Sequence, residues 1–245
     1  MSKNNLQDIN TVFKLNKIKK DSFILYHHLG LGDSVVCNGM ANYLTKYYSK
    51  IYIPSPTPYY KMIKHLYKNN SKIEIFEISN ASRDKFIYNF SFEKKLQILK
   101  VGFEKVGKKY FNKAFYRQLN LPYSYSFKYF SLPEDSRSIE LSFDLINRFN
   151  IDKNNYSLIH KESHDNNLQL KQINNENKIF VTKNTDKFKN IFLYNDLIKN
   201  AKEIHCVNSS FLHLVERVDT SADLFFHNIR GGKVFLKNNW KLIKY

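Results

Sequence analysis

Two short segments carry residue types whose spacing could do chemistry. The first is HHLGLGD, His27 to Asp33. It places His28, Gly30, Gly32 and an acid between an apolar run (SFILYHH) and a stretch with apolar residues at helical spacing: Val36, Met40, Tyr43, Leu44 and Tyr47. Glycines there let the backbone turn tightly and approach a ligand without a Cβ in the way. Asp33 falls at or near the first residue of the expected helix, and two roles are open to it. It can cap the helix, accepting free amides and complementing the dipole. Alternatively it can project into a cleft as a general base that takes a proton from an attacking hydroxyl.

The second segment, IHCVNSSFLHLVERV (Ile204 to Val218), again reads as strand, polar turn and helix. Asn208, Ser209 and Ser210 put amide and hydroxyl groups beside free backbone amides, which suits either plain capping or a phosphate. His213 lies on the first turn or two, as a packed core residue or a ligand contact. A third loop, HKESHDNN from His160 to Asn167, would lie at the same edge and holds His160, Lys161, Ser163 and His164. Two histidines four apart suggest a metal pair only on a helix, and no third ligand is at hand, so zinc is rejected. Lys183 and Arg230 are cations that could meet a phosphate or simply face solvent.

The elements that must position these groups alternate. Strands are expected at Ser22–His28, Lys50–Pro54, Lys72–Ile78, Gln97–Phe103, Tyr156–His160 and Lys178–Thr182, then at EIHCV and ADLFFH. Helices are expected at Ser34–Tyr48, Tyr59–Lys68, around Tyr110–Leu119, at Ser138–Asn150 with a stripe of Ile139, Phe143 and Ile146, at Tyr194–Ala201, and at FLHLVERV. Pro54, Pro56 and Pro58 read as a broken loop, and Leu121 to Pro133 as irregular. Alternating strands and helices predict parallel sheets with helices packed on them. The organisation is a polar arm over 1–20, a first α/β half over 21–135, a linker helix within 136–155, and a second half over 156–245.

Composition narrows the function. The 245 residues include 17 Tyr and 20 Phe with few Gly and Pro, which excludes a disordered or collagen-like chain. No run approaches the roughly 20 apolar residues of a membrane span, and the start lacks an apolar core or cleavage site, so a cytoplasmic protein is expected. The two cysteines, Cys37 and Cys206, are far apart in apolar stretches and read as buried thiols. A formal charge of +17 would raise nucleic acid as a partner. However, only six of the 39 basic residues are Arg, and abundant Lys with abundant Asn is what AT-rich coding produces. Nucleic acid is therefore not expected. The glycine segment lacks the third glycine of a dinucleotide fingerprint. D-x-D, G-x-S-x-G and Walker A patterns are absent from the sequence, which weakens metal-dependent sugar transfer, serine hydrolysis and P-loop phosphotransfer.

GLGDSVVCNGMANYL resembles the amino-terminal signature of the heptosyltransferase-like glycosyltransferases of the GT-B type. In that signature a small residue, Leu, Gly and Asp precede an apolar helix. HCVNSSFLHLVERV is similar to their carboxyl-half signature, although the turn reads Asn208-Ser209-Ser210 where the family prefers Asp-Ser-Gly. FEKVGKKYFNKAFYRQLNLPY and FFHNIR with Trp240 resemble bacterial and phage-borne proteins described as glycosyltransferase-like. The resemblance spans roughly Phe23 to Trp240.

It implies an α/β, GT-B-like fold of two Rossmann-like parallel-sheet halves facing a cleft, and an inverting enzyme without a metal or other cofactor. The first half would hold a glycan or lipid-linked acceptor and the second a nucleotide-sugar donor, in surface polysaccharide or lipopolysaccharide biosynthesis. Carried over by position, Asp33 resembles the catalytic base, with His28, Gly30 and Gly32 beside the acceptor. Asn208, Ser209, Ser210 and His213, with His160 and Lys183, fall on the donor side. The basic aromatic stretch from Phe92 to Lys128 is either a solvated face or a peripheral contact with the inner membrane surface. Two rivals remain: a non-catalytic nucleotide- or glycan-binding protein with the same fold, and a nucleic-acid-binding module.

Overall fold

All ten strands described in the computed structural model run parallel to their neighbours, in two sheets of five. The structure describes residues 10–104, 110–153, 155–162, 170–229 and 233–245. Ser163, His164 and Arg230, together with Lys105, Lys108 and Lys109 of the basic stretch, lie outside them. The chain divides into two compact units, Met1–Pro133 and Glu134–Tyr245.

The first unit contains β1 (Thr11–Val12), β2 (Ser22–Tyr26), α1 (Leu31–Leu44), β3 (Lys50–Pro56), α2 (Thr57–Leu66), β4 (Ile73–Ile78), α3 (Arg83–Glu93), β5 (Gln97–Lys100), α4 (Phe111–Gln118) and α5 (Tyr125–Lys128). Its sheet order is β1-β5-β2-β3-β4. β2 is central and almost wholly buried, as a parallel strand covered on both faces should be. Ile24 and Tyr26 pack with Ile78, Ile87, Leu96 and Ile98 under α3.

α1 lies against α2, α4 and α5. It approaches α5 so closely that a Cβ on Gly39 would stand 2.3 Å from the Tyr125 carbonyl oxygen. The buried Tyr116 hydroxyl on α4 accepts from the Met40 N–H at 3.0 Å and donates to the Val36 carbonyl at 2.8 Å, fastening α4 to the middle of α1.

The second unit contains α6 (Ser136–Arg148), β6 (Ser157–His160), β7 (Lys178–Phe180), a 3₁₀ turn (Ile191–Tyr194), α7 (Asn195–Asn200), β8 (Glu203–Val207), α8 (Ser210–Val215), β9 (Asp223–His227) and β10 (Trp240–Ile243), ordered β10-β9-β8-β6-β7. α6 packs on the 3₁₀ turn and α7, and the Asp196 amide donates to Ser138 Oγ at 3.0 Å. The buried Glu216 carboxylate just past α8 accepts from the amides of Lys237 (2.7 Å) and Asn238 (3.1 Å) and from Trp240 Nε1 (2.5 Å). That fixes the approach to β10.

The structure departs from expectation at five places. β3 runs through Pro54 and Pro56 instead of breaking. Its pairing with β2 ends at Tyr52 while its pairing with β4 continues to Pro56, so the missing proline donors are needed less on the side toward β2. The irregular stretch after Leu121 contains the short helix α5, and a helix not expected at all, α3, follows β4. In α6 the buried face is Ser138, Leu141, Ser142 and Leu145, while Ile139 and Phe143 are about two-thirds exposed. Small serines let that face seat closely, which outweighs the larger apolar area of the opposite stripe. Finally, α1 begins at Leu31 rather than Ser34.

Candidate functional site

Strand order selects one edge position in each sheet. In the first unit the chain proceeds from β2 outward through β3 and β4, then returns to β5 on the opposite flank of β2. In the second it goes from β6 to β7, then returns to β8 on the opposite flank of β6. Loops diverge at such switch points and leave a crevice at the carboxyl ends of the strands, where ligands of open α/β sheets bind. The two switch points are bordered by His27–Asp33 with Val101–Gly102, and by His160 with Asn208–Ser210.

In the turn from β2 to α1 the left-handed residue is Leu29 (φ 67°), not Gly30 or Gly32. Burial of its side chain and donation of its N–H to His27 Nδ1 (3.1 Å) support that conformation. Burial holds His27 neutral, lowering its pKa to about 3, and its Nε2 is buried without a hydrogen-bond partner. His28 is exposed and spans the crevice, its Nε2–H donating to the Gly102 carbonyl at 2.7 Å while its ring stands edge-on to Phe103 and Phe115. Gly102, which sequence reasoning did not single out, has φ +88°, and a Cβ there would stand 2.2 Å from the Phe115 ring.

Gly30, not Asp33, is the N-cap of α1, with Gly32 at the second and Asp33 at the third helical position. The Asp33 carboxylate reaches back and accepts the Gly30 N–H through Oδ2 at 3.1 Å. The approach is close, since a Cβ on Gly30 would meet Oδ2 at 2.6 Å and the carboxylate would have to shift. No other hydrogen bond to this carboxylate is present among the described residues, which leaves Oδ1 available. Burial raises the Asp33 pKa from its ordinary value, against the opposing pull of His28 and the Gly30 amide. The carboxylate is thus a stronger base than a solvated one.

At the second switch point Ser209 caps α8, its Oγ accepting from the Leu212 amide at 3.3 Å. Asn208, Ser209 and Ser210 are half-buried. His160 sits opposite Cys206 in the strand register and stacks at 5.3 Å on Phe211 of α8, which brings the β6 end and the serine turn together. Its Nδ1 is buried without a partner, and burial lowers its pKa to about 4. His213 is buried, and burial with Arg217 nearby lowers it to about 3. Both imidazoles are held neutral at pH 7 by that burial. Lys183 is exposed three residues beyond β7, with no hydrogen bond or ion pair to these groups among the described residues.

A further network escaped the sequence. His205 Nδ1 and His227 Nε2 are hydrogen-bonded at 3.0 Å across β8 and β9, and His227 Nδ1 bonds the Tyr245 hydroxyl at 2.7 Å. Both rings are buried. The only sequence signal is that each falls on an apolar strand. Among the described residues no three His, Cys, Asp or Glu side chains gather where a metal ion could be held.

No protein-family model matches the chain, and no curated protein does. A solved structure does: the glycosyl transferase family 9 protein of Veillonella parvula DSM 2008, over 92% of this chain and 87% of that one, with a TM-score of 0.59. The two share a fold. Their sequences are 8% identical, so the likeness is one of architecture: two parallel α/β sheets in Rossmann-like halves, as the sequence leads one to expect.

Proposed function

We propose that the chain is a glycosyltransferase that moves a sugar from a nucleotide-sugar donor onto a hydroxyl of a glycan or lipid-linked acceptor, in surface polysaccharide biosynthesis. The observation that carries this reading is that the two motifs singled out in the sequence fall on the switch points of the two sheets. The family 9 neighbour supports the reaction class.

In this reading the first unit holds the acceptor. Asp33 Oδ1 takes the proton as the acceptor oxygen attacks the anomeric carbon. The bond from that carbon to the donor phosphate breaks, the nucleoside diphosphate leaves with the electron pair, and the configuration inverts. General-base assistance of this kind is worth about 10²- to 10⁴-fold. The raised pKa suits the task, because a carboxylate short of water hydrogen bonds gains more from accepting a proton. The second unit holds the donor. Asn208, Ser209 and Ser210 offer amide and hydroxyl donors to the diphosphate, His160 offers a neutral ring nitrogen beside them, and His213 and Lys183 are the further donor-side residues that the resemblance suggests. The reading needs no metal.

A thermal-shift panel of nucleoside diphosphates and their sugar conjugates tests the donor assignment. One base should raise the midpoint selectively, by about 2.7 kcal/mol of stabilisation at 100 times its dissociation constant. No response to any nucleotide would remove it.

A further inference from the structure

The end of α1 remote from Asp33 carries a feature that sugar transfer does not use. Tyr43 on α1 lies 4.5 Å from Tyr125, 5.0 Å from Tyr129 and 5.3 Å from Tyr47 between ring centroids, and Tyr125 and Tyr129 are 5.0 Å apart. Asn42 Nδ2 donates to the Tyr129 carbonyl at 3.2 Å, fixing the α5 side of the cluster to α1. Lys46 Nζ stands 4.4 Å over the Tyr129 ring and Lys128 Nζ 5.6 Å over the same ring. Tyr47, 63% exposed, bonds its hydroxyl to that of Tyr43 at 3.1 Å. Lys72 Nζ donates to the Thr45 carbonyl at the helix end, at 2.9 Å.

We propose that this cluster docks the protein on an anionic lipid bilayer. Residues 34–50 and 119–133, which build it, contain no Asp or Glu. Among the described residues no carboxylate comes within ion-pair distance of Lys46, Lys72 or Lys128, whereas Lys187 and Lys241 of the second unit face Glu140 and Asp223. Glu74, two residues beyond Lys72, faces Lys50 at 3.1 Å.

Lysines alone are everywhere on this chain, so charge alone selects nothing. What singles out this place is the meeting of unpaired cations with tyrosines already packed against one another. A phenol ring with a polar tip sits at headgroup depth, and lysines beside it meet lipid phosphates. Rings already held in contact lose little freedom on binding. The proposal rests on these rings and charges and is independent of the transfer reading.

Sedimentation of the full chain with phosphatidylcholine vesicles, with and without phosphatidylglycerol, tests it. The variant carrying Lys46→Ser, Tyr47→Ser and Lys128→Ser changes only exposed side chains, and a variant with Lys153→Ser and Lys199→Ser removes the same charge from the second unit. The wild type should sediment with the anionic vesicles only, and less so as salt rises. The patch variant should bind at least tenfold more weakly, given about fivefold for each lysine near a charged surface. The control should bind as the wild type does, and all three should melt alike. Four outcomes would overturn the proposal: no sedimentation of the wild type, equal sedimentation with neutral vesicles, a patch variant that binds like the wild type, or a control that loses as much. Loss of single-stranded RNA binding in the patch variant, with vesicles ignored throughout, would also overturn it and assign the patch to nucleic acid.

Discussion

The turns from β2 to α1 and from β8 to α8 are built on one plan and equipped for opposite charges. Each leaves the carboxyl end of a buried parallel strand at a switch point and enters a helix through a small N-cap, Gly30 in one and Ser209 in the other. The first keeps a carboxylate in the first helical turn, where burial makes it reluctant to ionise. The second has no acid in its first turn and gathers hydroxyls, an amide and neutral imidazoles. The proposed transfer uses that difference, with the acceptor hydroxyl, which must lose a proton, at the first turn and the donor diphosphate at the second.

The largest expected effect is on the first turn. Asp33→Asn should lower transfer by about 10²- to 10⁴-fold while leaving nucleotide binding intact. Its effect on stability has the opposite sign. A carboxyl whose folded pKa lies above the unfolded one makes stability fall as pH rises through that interval, so removing the charge should leave the melting midpoint unchanged or higher near pH 7. A marked drop in midpoint would make Asp33 a structural residue.

Next in size is the anchor beyond the second turn. Glu216→Ala should cost about 3 kcal/mol or more, since hydrogen bonds to a buried charge are worth about 1.5 to 3 kcal/mol each, and Trp240 emission should move to the red. An unshifted emission would mean that the segment before β10 is held by something else.

Acid should separate the units themselves. His160 and His227 are held to about 4, His213 to about 3, and His205 is also lowered, all by burial and all in the second unit, against His27 in the first. For each, the unfolded state binds the proton first. Stability is therefore lost as pH falls from 6.5 toward 4, at about 1.4 kcal/mol per pH unit for each imidazole. Emission from Trp240, the only tryptophan, should report unfolding of the second unit at a higher pH than amide exchange reports for the first. Coincident transitions would break this part of the comparison.

The smallest effect falls on the second turn. Ser209→Ala removes a cap and should cost about 1 kcal/mol, with a weaker response to nucleoside diphosphates than in the wild type. Loss of stability with undiminished nucleotide binding would leave Ser209 as a cap only.

Much of this was legible in the residues. The buried strands announce themselves as short apolar runs, and the two turns as polar breaks between a strand and a helix. What escaped depends on the third dimension. α3 has no one-sided stripe, with Ile87 and Ser91 buried while Phe86 and Phe92 face outward. α6 buries its serine-lined face because that face can approach closely, which hydrophobicity does not record. β10 is a strand by virtue of its pairing with β9 and the hold of Glu216 on Trp240. Gly102 and the His205–His227 pair acquire meaning only when β5 lies beside β2 and β9 beside β8. Asp33 was visible as an acid after two glycines. Its reach back to the Gly30 amide, which decides that it is not the cap, was not.

The most direct test is release of nucleoside diphosphate from the nucleotide sugar whose base the thermal panel selects, with acceptor present, by the wild type and by Asp33→Asn. The prediction is release in the wild type and a loss of at least 100-fold in the variant, with the nucleotide still raising the midpoint of both. Equal release by the two proteins would contradict the assignment of Asp33 as the base.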